Sequence, residues 1–195
     1  AVGDANWIGT DTLLGIESVF GTILADTYDA TGFSGTSDNA GAYGTFNEFQ
    51  GFAGNDLVIG NGNTRVSYVD AFAGVFVDLA NGTSSGLVAG DAAFVGVDTI
   101  SGVNSARGSG FGDVLIGSSE GDILEGMGGD DSITGGAGND RIDGGAGRDT
   151  AIYTGDLSSV ISMGRSADGL SIVIRTTNEG TDTLTNIENI QFGLA

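Results

Sequence analysis

Oxygen-bearing side chains recur at intervals of nine residues through the second half of the chain. The series consists of Asn104, Asp113, Asp122, Asp131, Asp140 and Asp149. From Asp113 onward, the residue two positions later is apolar: Leu115, Leu124, Ile133, Ile142 and Ala151. Glycine-rich turns precede the last three aspartates, at residues 126–129, 135–138 and 144–147. One nonapeptide, G-G-x-G-x-D-x-U-x with U apolar, therefore runs about five times from Gly108 to Ile152.

The composition restricts the chemistry that these residues can perform. The chain has 26 acidic and 6 basic residues, a net charge of −20, and neither His nor Cys. Zinc sites and serine triads are disfavoured because their usual ligands and bases are absent. Oxygen ligands suit hard cations such as Ca²⁺, which would also reduce the self-repulsion of so acidic a chain. The same charge argues against nucleic acid and anionic membranes, and no apolar stretch is long enough to span a bilayer.

The nine-residue spacing predicts how the elements position these oxygens. Each unit is one turn plus one short strand, so two units close a coil and the turns alternate between two edges. Adjacent coils lie about 4.8 Å apart, and a cation midway would sit about 2.4 Å from each carboxylate, a typical Ca²⁺–O distance. Four candidate sites follow, each between residues eighteen apart: Asn104/Asp122, Asp122/Asp140, Asp113/Asp131 and Asp131/Asp149.

A longer repeat predicts two modules. Val2–Leu13 reappears as Ala89–Ile100, and Gly180–Leu184 begins a partial third copy. We expect module one at residues 1–88, with a degenerate ladder at 17–60. Module two is expected at 89–195, with the regular ladder at 99–152 and the start of a further repeat at 180–195. The candidate ligands in the degenerate ladder are Asp26, Asp38, Asn47 and Asp56.

Outside the ladders the apolar period changes to two, which is typical of half-buried strands. Val75, Val77 and Leu79 alternate with other residues, as do Leu170, Ile172 and Ile174. Asp168-Gly169 indicates a hairpin turn between two such segments. The 37 glycines disfavour helices. The sequence therefore predicts an all-β fold.

Residues 96–153 resemble the RTX, or haemolysin-type, calcium-binding repeat family. The resemblance implies a parallel β-roll, a β-solenoid with flanking antiparallel strands, that binds several Ca²⁺ ions. It implies ligation by the loop aspartates and by turn carbonyls, here assigned to Gly126, Gly129, Gly136, Gly138, Gly145 and Gly147. It also implies an extracellular or cell-surface bacterial protein, exported by a type I apparatus and folded outside the cell.

Other functions stay open because a fold resemblance does not supply an activity. An adhesin or glycan-binding module is the main alternative, with Tyr28, Phe33, Tyr43 and Phe46 expected to be exposed. A catalytic fragment, such as a hydrolase or epimerase, is less favoured, and we expect no enzyme. Glu188 predicts a further rung nine residues on, past Ala195, so we expect the sequence to be part of a longer protein.

Overall fold

The computed structural model describes residues 18–33 and 46–193, in which it contains eighteen strands, one short 3-10 helix (Leu157–Ser159) and no α-helix. The first nine strands are β1 (Ser18–Phe20), β2 (Thr27–Asp29), β3 (Asn47–Gln50), β4 (Leu57–Ile59), β5 (Thr64–Ser67), β6 (Val75–Asp78), β7 (Thr83–Gly86), β8 (Val97–Ser101) and β9 (Ser105–Arg107). The other nine are β10 (Val114–Ile116), β11 (Ile123–Glu125), β12 (Ser132–Thr134), β13 (Arg141–Asp143), β14 (Thr150–Tyr153), β15 (Val160–Arg165), β16 (Ile172–Thr176), β17 (Thr181–Thr185) and β18 (Asn189–Phe192). The predicted all-β class is confirmed.

The strands form two nine-stranded sheets, between which the ladder strands alternate. The first sheet has the order β1-β3-β5-β9-β11-β13-β17-β16-β15, and the second has the order β18-β14-β12-β10-β6-β7-β8-β4-β2. Within the ladder the pairing is parallel and shifted by two nonapeptides, as in Leu115↔Ile133 and Leu124↔Ile142. Two repeats therefore close one coil, and the predicted β-roll is confirmed.

The core is a thin column of side chains between the two sheets. Leu115, Leu124, Ile133 and Ala151 are fully buried, and Ile142 is almost so. Each three-residue strand directs only its central side chain inward, because successive side chains point to opposite faces. Burying one such side chain contributes only about 2 kcal/mol, so each rung depends on its turn for much of its stability.

Two three-stranded antiparallel segments join the parallel rungs. β6, β7 and β8 pair in this way within the second sheet, and β15, β16 and β17 do so at the end of the first sheet. The turn predicted at Asp168-Gly169 connects β15 to β16. Both sheets run through the two halves of the chain, since β5 pairs with β9 and β4 with β8. The division into modules at residues 88 and 89 stays a prediction. None of the described residues forms a helix long and apolar enough to cross a membrane.

Candidate metal centre

The turns between strands are built on glycines that leave no room for a side chain. Positive φ angles occur at Gly129, Gly136, Gly138, Gly145 and Gly147. Gly136, with φ of 92°, is a clear case, because a β-carbon there would lie 2.1 Å from the Ser118 carbonyl oxygen. Glycine therefore lets this turn lie directly against the turn of the neighbouring coil without a steric clash.

One row of carboxylates, which we call row two, lines the edge where the second-sheet strands begin. It consists of Asp113, Asp131, Asp149 and Glu188. The Asp113 N–H donates to Asp131 Oδ1 at 2.7 Å, and the Asp131 N–H donates to Asp149 Oδ1 at 2.9 Å. The Asp149 N–H donates to Glu188 Oε2 at 2.7 Å. Each carboxylate is thus fixed by the backbone of the preceding coil.

The opposite edge carries row three, which consists of Asn104, Asp122, Asp140 and Asp182. The Asp122 N–H donates to Asp140 Oδ1 at 2.9 Å, and the Asp140 N–H donates to Asp182 Oδ1 at 2.9 Å. Asn104 departs from this pattern, because its N–H donates to the Thr64 carbonyl at 3.2 Å. Residues eighteen apart in the sequence therefore do lie in adjacent coils, as the nine-residue period predicted. Asn104 differs in that its N–H donates to a backbone carbonyl and not to the next side chain of the row.

Row one consists of Asp26, Asp56 and Asp98, at the start of second-sheet strands nearer the N-terminus. The Asp26 N–H donates to Asp56 Oδ1 at 2.8 Å, and the Asp56 N–H donates to Asp98 Oδ1 at 3.0 Å. The second Asp26 oxygen accepts from the Thr22 N–H at 2.6 Å. The predicted ligand Asp38 lies outside the described residues.

Most interior members of the rows keep one carboxylate oxygen buried without a hydrogen bond. Within the described part of the chain these oxygens are Oδ2 of Asp56, Asp131, Asp140 and Asp149 and Oδ1 of Asp122, together with the Asn104 amide oxygen. Burial raises the pKa of Asp56, Asp131 and Asp140 to about 7. It also raises the pKa of Asp122 and Asp149. A buried carboxylate in this state needs either a proton or a compensating positive charge.

Backbone carbonyl oxygens lie beside the aspartate oxygens, next to the first glycine of the turns. A β-carbon built on Gly126 would lie 2.1 Å from Asp131 Oδ2 and 2.6 Å from the Gly144 carbonyl oxygen. On Gly117 it would lie 2.0 Å from the Gly135 carbonyl oxygen and 2.8 Å from Asp122 Oδ2. The first glycine of each turn therefore leaves a small hollow lined by one carboxylate and one carbonyl oxygen.

These hollows fit a hard divalent cation. Their donors are carboxylate and carbonyl oxygens, which Ca²⁺ prefers, and nitrogen and sulfur ligands are missing because the chain has no His or Cys. Among the described residues no group of three or more acidic side chains converges on one point. Backbone carbonyls would therefore have to supply a large share of the ligands, which is the role predicted for the turn glycines.

Asn47 has different contacts from those of the row residues. It is fully buried, and its amide oxygen accepts hydrogen bonds from the Tyr28 hydroxyl at 3.0 Å and the Thr64 hydroxyl at 2.8 Å. The prediction that Asn47 is a ligand drew only on its nine-residue spacing from Asp56. We do not include Asn47 in the site proposed below.

Sequence reasoning missed two members of the rows, Asp98 and Asp182, and it treated Glu188 as a rung without naming it as a ligand. Asp98 and Asp182 return to their rows from 42 residues downstream of Asp56 and Asp140. Glu188 returns from 39 residues downstream of Asp149. A signal existed, because the longer repeat aligns Asp98 with Asp182, but we interpreted it only as a module boundary.

The aromatic cluster predicted to be exposed is partly buried instead. The Tyr28 ring stacks on Phe49 with centroids 5.1 Å apart, and Arg65 Cζ lies 4.9 Å from the centroid of the Phe46 ring. Phe33 is also only partly exposed, and Tyr43 lies outside the described residues. These rings were predicted from local sequence, which could not show that β3 and its neighbours would cover them.

Comparison with known proteins identifies the ladder. Residues 116–151 match the RTX calcium-binding nonapeptide repeat, with four copies. The comparison with curated proteins found no match. The matched segment contains Asp122, Asp131, Asp140 and Asp149, each with one buried oxygen that has no hydrogen bond within the described chain. In Asp131, Asp140 and Asp149 this oxygen is the Oδ2 that faces the first glycine of the turn. The chain thus carries a run of RTX calcium-binding nonapeptide repeats folded as a β-roll.

Proposed function

We propose that this chain is a calcium-dependent folding module that binds several Ca²⁺ ions between the stacked turns of its rows. The ligands are the aspartates Asp113, Asp122, Asp131, Asp140 and Asp149, with turn carbonyls that include those of Gly126, Gly129, Gly136, Gly138, Gly145 and Gly147. Row one contributes Asp56 and Asp26, while Asn104 contributes an amide oxygen. The observation that carries the proposal is the set of buried aspartate oxygens that have no hydrogen-bond partner.

Electrostatics explains why the fold would require the ions. Two carboxylates about 4.8 Å apart repel by about 3 kcal/mol at an effective dielectric near 20. The rows stack several such pairs, and the chain has a net charge of −20. A bound divalent cation supplies the opposing charge, so metal binding and folding are coupled. When the free calcium concentration is one hundred times the dissociation constant of a site, binding at that site adds about 2.7 kcal/mol to the free energy of unfolding.

We further propose that this coupling serves secretion. RTX repeats occur in secreted bacterial proteins, and a chain that folds only at extracellular calcium concentrations stays unfolded where calcium is scarce. In this proposal the module is an export and folding element, or a surface repeat, of a longer bacterial protein. A catalytic role is not part of the proposal.

The direct test is a calcium titration followed by circular dichroism. In EDTA the spectrum should become that of a random coil, and the β-signal should return at roughly 0.1–1 mM calcium, the range of extracellular modules. Magnesium at the same concentrations should not restore it, because Mg²⁺ demands shorter bonds and sheds its water reluctantly. A native spectrum in EDTA, unchanged by added calcium, would refute the proposal.

Ligand recognition is a second candidate, favoured by one observation. Phe72 is 71% exposed and Phe94 is 44% exposed, and their ring centroids lie 6.1 Å apart. Two adjacent exposed rings could stack on a sugar. A glycan array would test this, with calcium-dependent binding that is lost in Phe72→Ala as the supporting result and no binding as the opposing one.

A further inference from the structure

The last aspartates of rows one and three differ from the interior ones. Asp98 and Asp182 each accept the backbone N–H of the preceding member through Oδ1, as interior members do. Their second oxygen, however, accepts a tyrosine hydroxyl. Tyr68 donates to Asp98 Oδ2 at 3.0 Å, and Tyr153 donates to Asp182 Oδ2 at 3.0 Å. In Asp56 and Asp140, one rung earlier, the same oxygen has no hydrogen bond within the described chain.

The same construction occurs twice with the same contacts. The Val97 N–H donates to Asn55 Oδ1 at 3.0 Å, and the Thr181 N–H donates to Asn139 Oδ1 at 2.9 Å. Each of these pairs spans 42 residues, as do the Asp56/Asp98 and Asp140/Asp182 pairs. Such agreement between two distant parts of one chain indicates a repeated structural device rather than a chance hydrogen bond.

The glycines of these returning turns are matched as well. A β-carbon on Gly96 would lie 1.5 Å from the Gly54 carbonyl oxygen, and one on Gly180 would lie 1.6 Å from the Gly138 carbonyl oxygen. Both glycines have positive φ angles, of 71° and 86°. At the end of rows one and three, the backbone of the returning segment therefore packs equally closely against the glycine carbonyl of the preceding coil.

Both tyrosines are placed to act as permanent donors. Tyr68 is 5% exposed and Tyr153 is 3% exposed. Burial raises the pKa of Tyr68 and of Tyr153, so each hydroxyl keeps its proton at any physiological pH. At the first of these positions the Ser84 hydroxyl donates to the same Asp98 oxygen at 2.8 Å. A neutral donor can thus satisfy a carboxylate at a place where no further carboxylate follows.

We propose that Tyr68 and Tyr153 are positioning residues that terminate the calcium rows. Each tyrosine hydroxyl donates to the aspartate oxygen whose counterpart in the interior rungs is available to an ion. Asp98 and Asp182 therefore hold the final turn in place without binding calcium through that oxygen. This inference rests on the calcium-binding function proposed above. Row two is alike one rung earlier, because the Asp149 Oδ2 beside Glu188 has no hydrogen bond within the described chain, as in Asp56 and Asp140.

The test compares two aspartates of row three that occupy equivalent positions in consecutive rungs. Calcium bound per chain is counted by native mass spectrometry for Asp140→Asn and Asp182→Asn. Asp140→Asn should bind at least one ion fewer than the unmodified chain. Asp182→Asn should bind the same number, since the new amide can keep the backbone contact through its oxygen and donate to Tyr153 through its nitrogen.

The tyrosine itself is tested by urea unfolding at fixed, saturating calcium. Tyr153→Phe should lower the folding equilibrium constant by about tenfold, because a hydrogen bond to a charged group is lost. Adding Asp182→Asn to that variant should restore most of the loss, since the uncompensated charge is then gone. Tyr28→Phe is the matched control: its hydroxyl donates to the neutral Asn47 amide, so its smaller loss should not be restored by Asp182→Asn.

The possible outcomes separate the two proposals. If Asp182→Asn loses as many ions as Asp140→Asn, Asp182 is an ion ligand and the inference is wrong while calcium binding stands. If Asp182→Asn fails to restore Tyr153→Phe, the hydroxyl acts elsewhere and the inference is also wrong. If Asp140→Asn keeps every ion, the calcium assignment of row three fails, and the termination of that row fails with it.

Discussion

The earlier rungs, β1 to β5, and the ladder from Asn104 to Glu188 belong to the same two sheets. They differ in the side chains at the edges of the coils and in how the polar atoms of those side chains are hydrogen-bonded. In the ladder, aspartates line both edges, as rows two and three. In the described part of the earlier rungs, acidic side chains line the second-sheet edge, with Asp26 and Asp56. On the opposite edge, the Asn47 amide oxygen accepts hydroxyl hydrogen bonds from Tyr28 and Thr64.

A charged network on the outer face of the first sheet joins the earlier rungs to the start of the ladder. Glu48 pairs with Arg65, and Arg107 Nη1 lies 3.6 Å from Glu48 Oε2. Arg107 Nε lies 2.7 Å from Glu125 Oε2, and Arg65 Nη1 lies 3.4 Å from the same oxygen. These side chains neutralise one another across four neighbouring strands of the sheet. These two glutamates and two arginines therefore balance one another without a metal.

The difference teaches that one architecture can be held together in two ways. Under the proposed function, the acidic edges require cations between the coils, whereas the Asn47 edge and the outer-face ion pairs are satisfied by groups of the protein itself. Calcium dependence should therefore be concentrated between Asn104 and Glu188, with a smaller share in row one.

Gradual withdrawal of calcium should produce the largest effect and should separate the two regions. We expect amide protons in β11–β14 to lose protection from exchange at higher calcium concentrations than those in β3 and β5, because stability lost at each emptied site is local to its coil. Hydrogen exchange followed by mass spectrometry across a calcium series measures this. Loss of protection in β3 and β5 first would contradict the comparison.

Single substitutions in row two should give the next largest effect. Asp131→Asn removes a carboxylate whose Oδ2 has no hydrogen bond in the described chain, and we expect calcium affinity to fall by about tenfold, equivalent to about 1.4 kcal/mol. Asp113→Asn should matter less, because Asp113 already accepts from the Ser109 N–H at 2.6 Å and the Val75 N–H at 2.7 Å. Isothermal titration calorimetry of both variants measures the difference.

The control for the Asp131→Asn and Asp113→Asn variants is their thermal unfolding at saturating calcium. The two unfolding temperatures should be similar if both variants form the same fold. Equal calcium affinities for Asp131→Asn and Asp113→Asn would show that an unpartnered oxygen does not mark a stronger ligand. The comparison between satisfied and unsatisfied carboxylates would then have to be abandoned.

Much of the ladder could be predicted from sequence because its information is local. The nine-residue period fixed which side chains point inward, and Leu115, Leu124 and Ile133 are fully buried as expected. The pairing of residues eighteen apart followed from two repeats per coil. The Asp168-Gly169 hairpin was likewise predictable, since its turn and both strands lie within a few residues of one another.

What could not be predicted depends on contacts between distant segments. Asp98 and Asp182 reach their rows only because a hairpin intervenes and the chain then returns, and no local period encodes that return. Asn47 fits the spacing of a ligand, but its amide oxygen accepts a hydrogen bond from the Tyr28 hydroxyl, which lies on another strand. The contacts of Tyr68 with Asp98 and of Tyr153 with Asp182 were missed for the same reason.

A change of pH should produce an intermediate effect with a defined sign. Without metal, burial raises the pKa of Asp131 and Asp140 to about 7, well above the value near 4 of an unfolded chain. A raised folded-state pKa favours the protonated fold, so this stability is present at low pH and is lost as pH rises through about 7. In EDTA, the β-signal should therefore increase as pH falls from 8 towards 5.

This pH effect should also distinguish the regions. Burial raises the pKa of Asp56 to about 7 as well, so row one has one such group, whereas rows two and three together have two, Asp131 and Asp140. Asp131→Asn with Asp140→Asn should therefore reduce the gain on acidification more than Asp56→Asn does, as measured by circular dichroism in EDTA. A metal-free chain that becomes less ordered on mild acidification would contradict the sign.

The smallest expected effect concerns the ion-pair network of the earlier rungs. Glu48→Gln removes the carboxylate that contacts both Arg65 and Arg107, and we expect a loss of about 0.5–1 kcal/mol in the free energy of unfolding, typical of partly exposed ion pairs. The loss should shrink at high salt and should be the same at all saturating calcium concentrations, because no ion site involves Glu48. Urea unfolding at two salt and two calcium concentrations measures both dependences. A loss that varied with calcium would mean that the two regions share one source of stability, and the distinction between metal-held and self-compensated rungs would not hold.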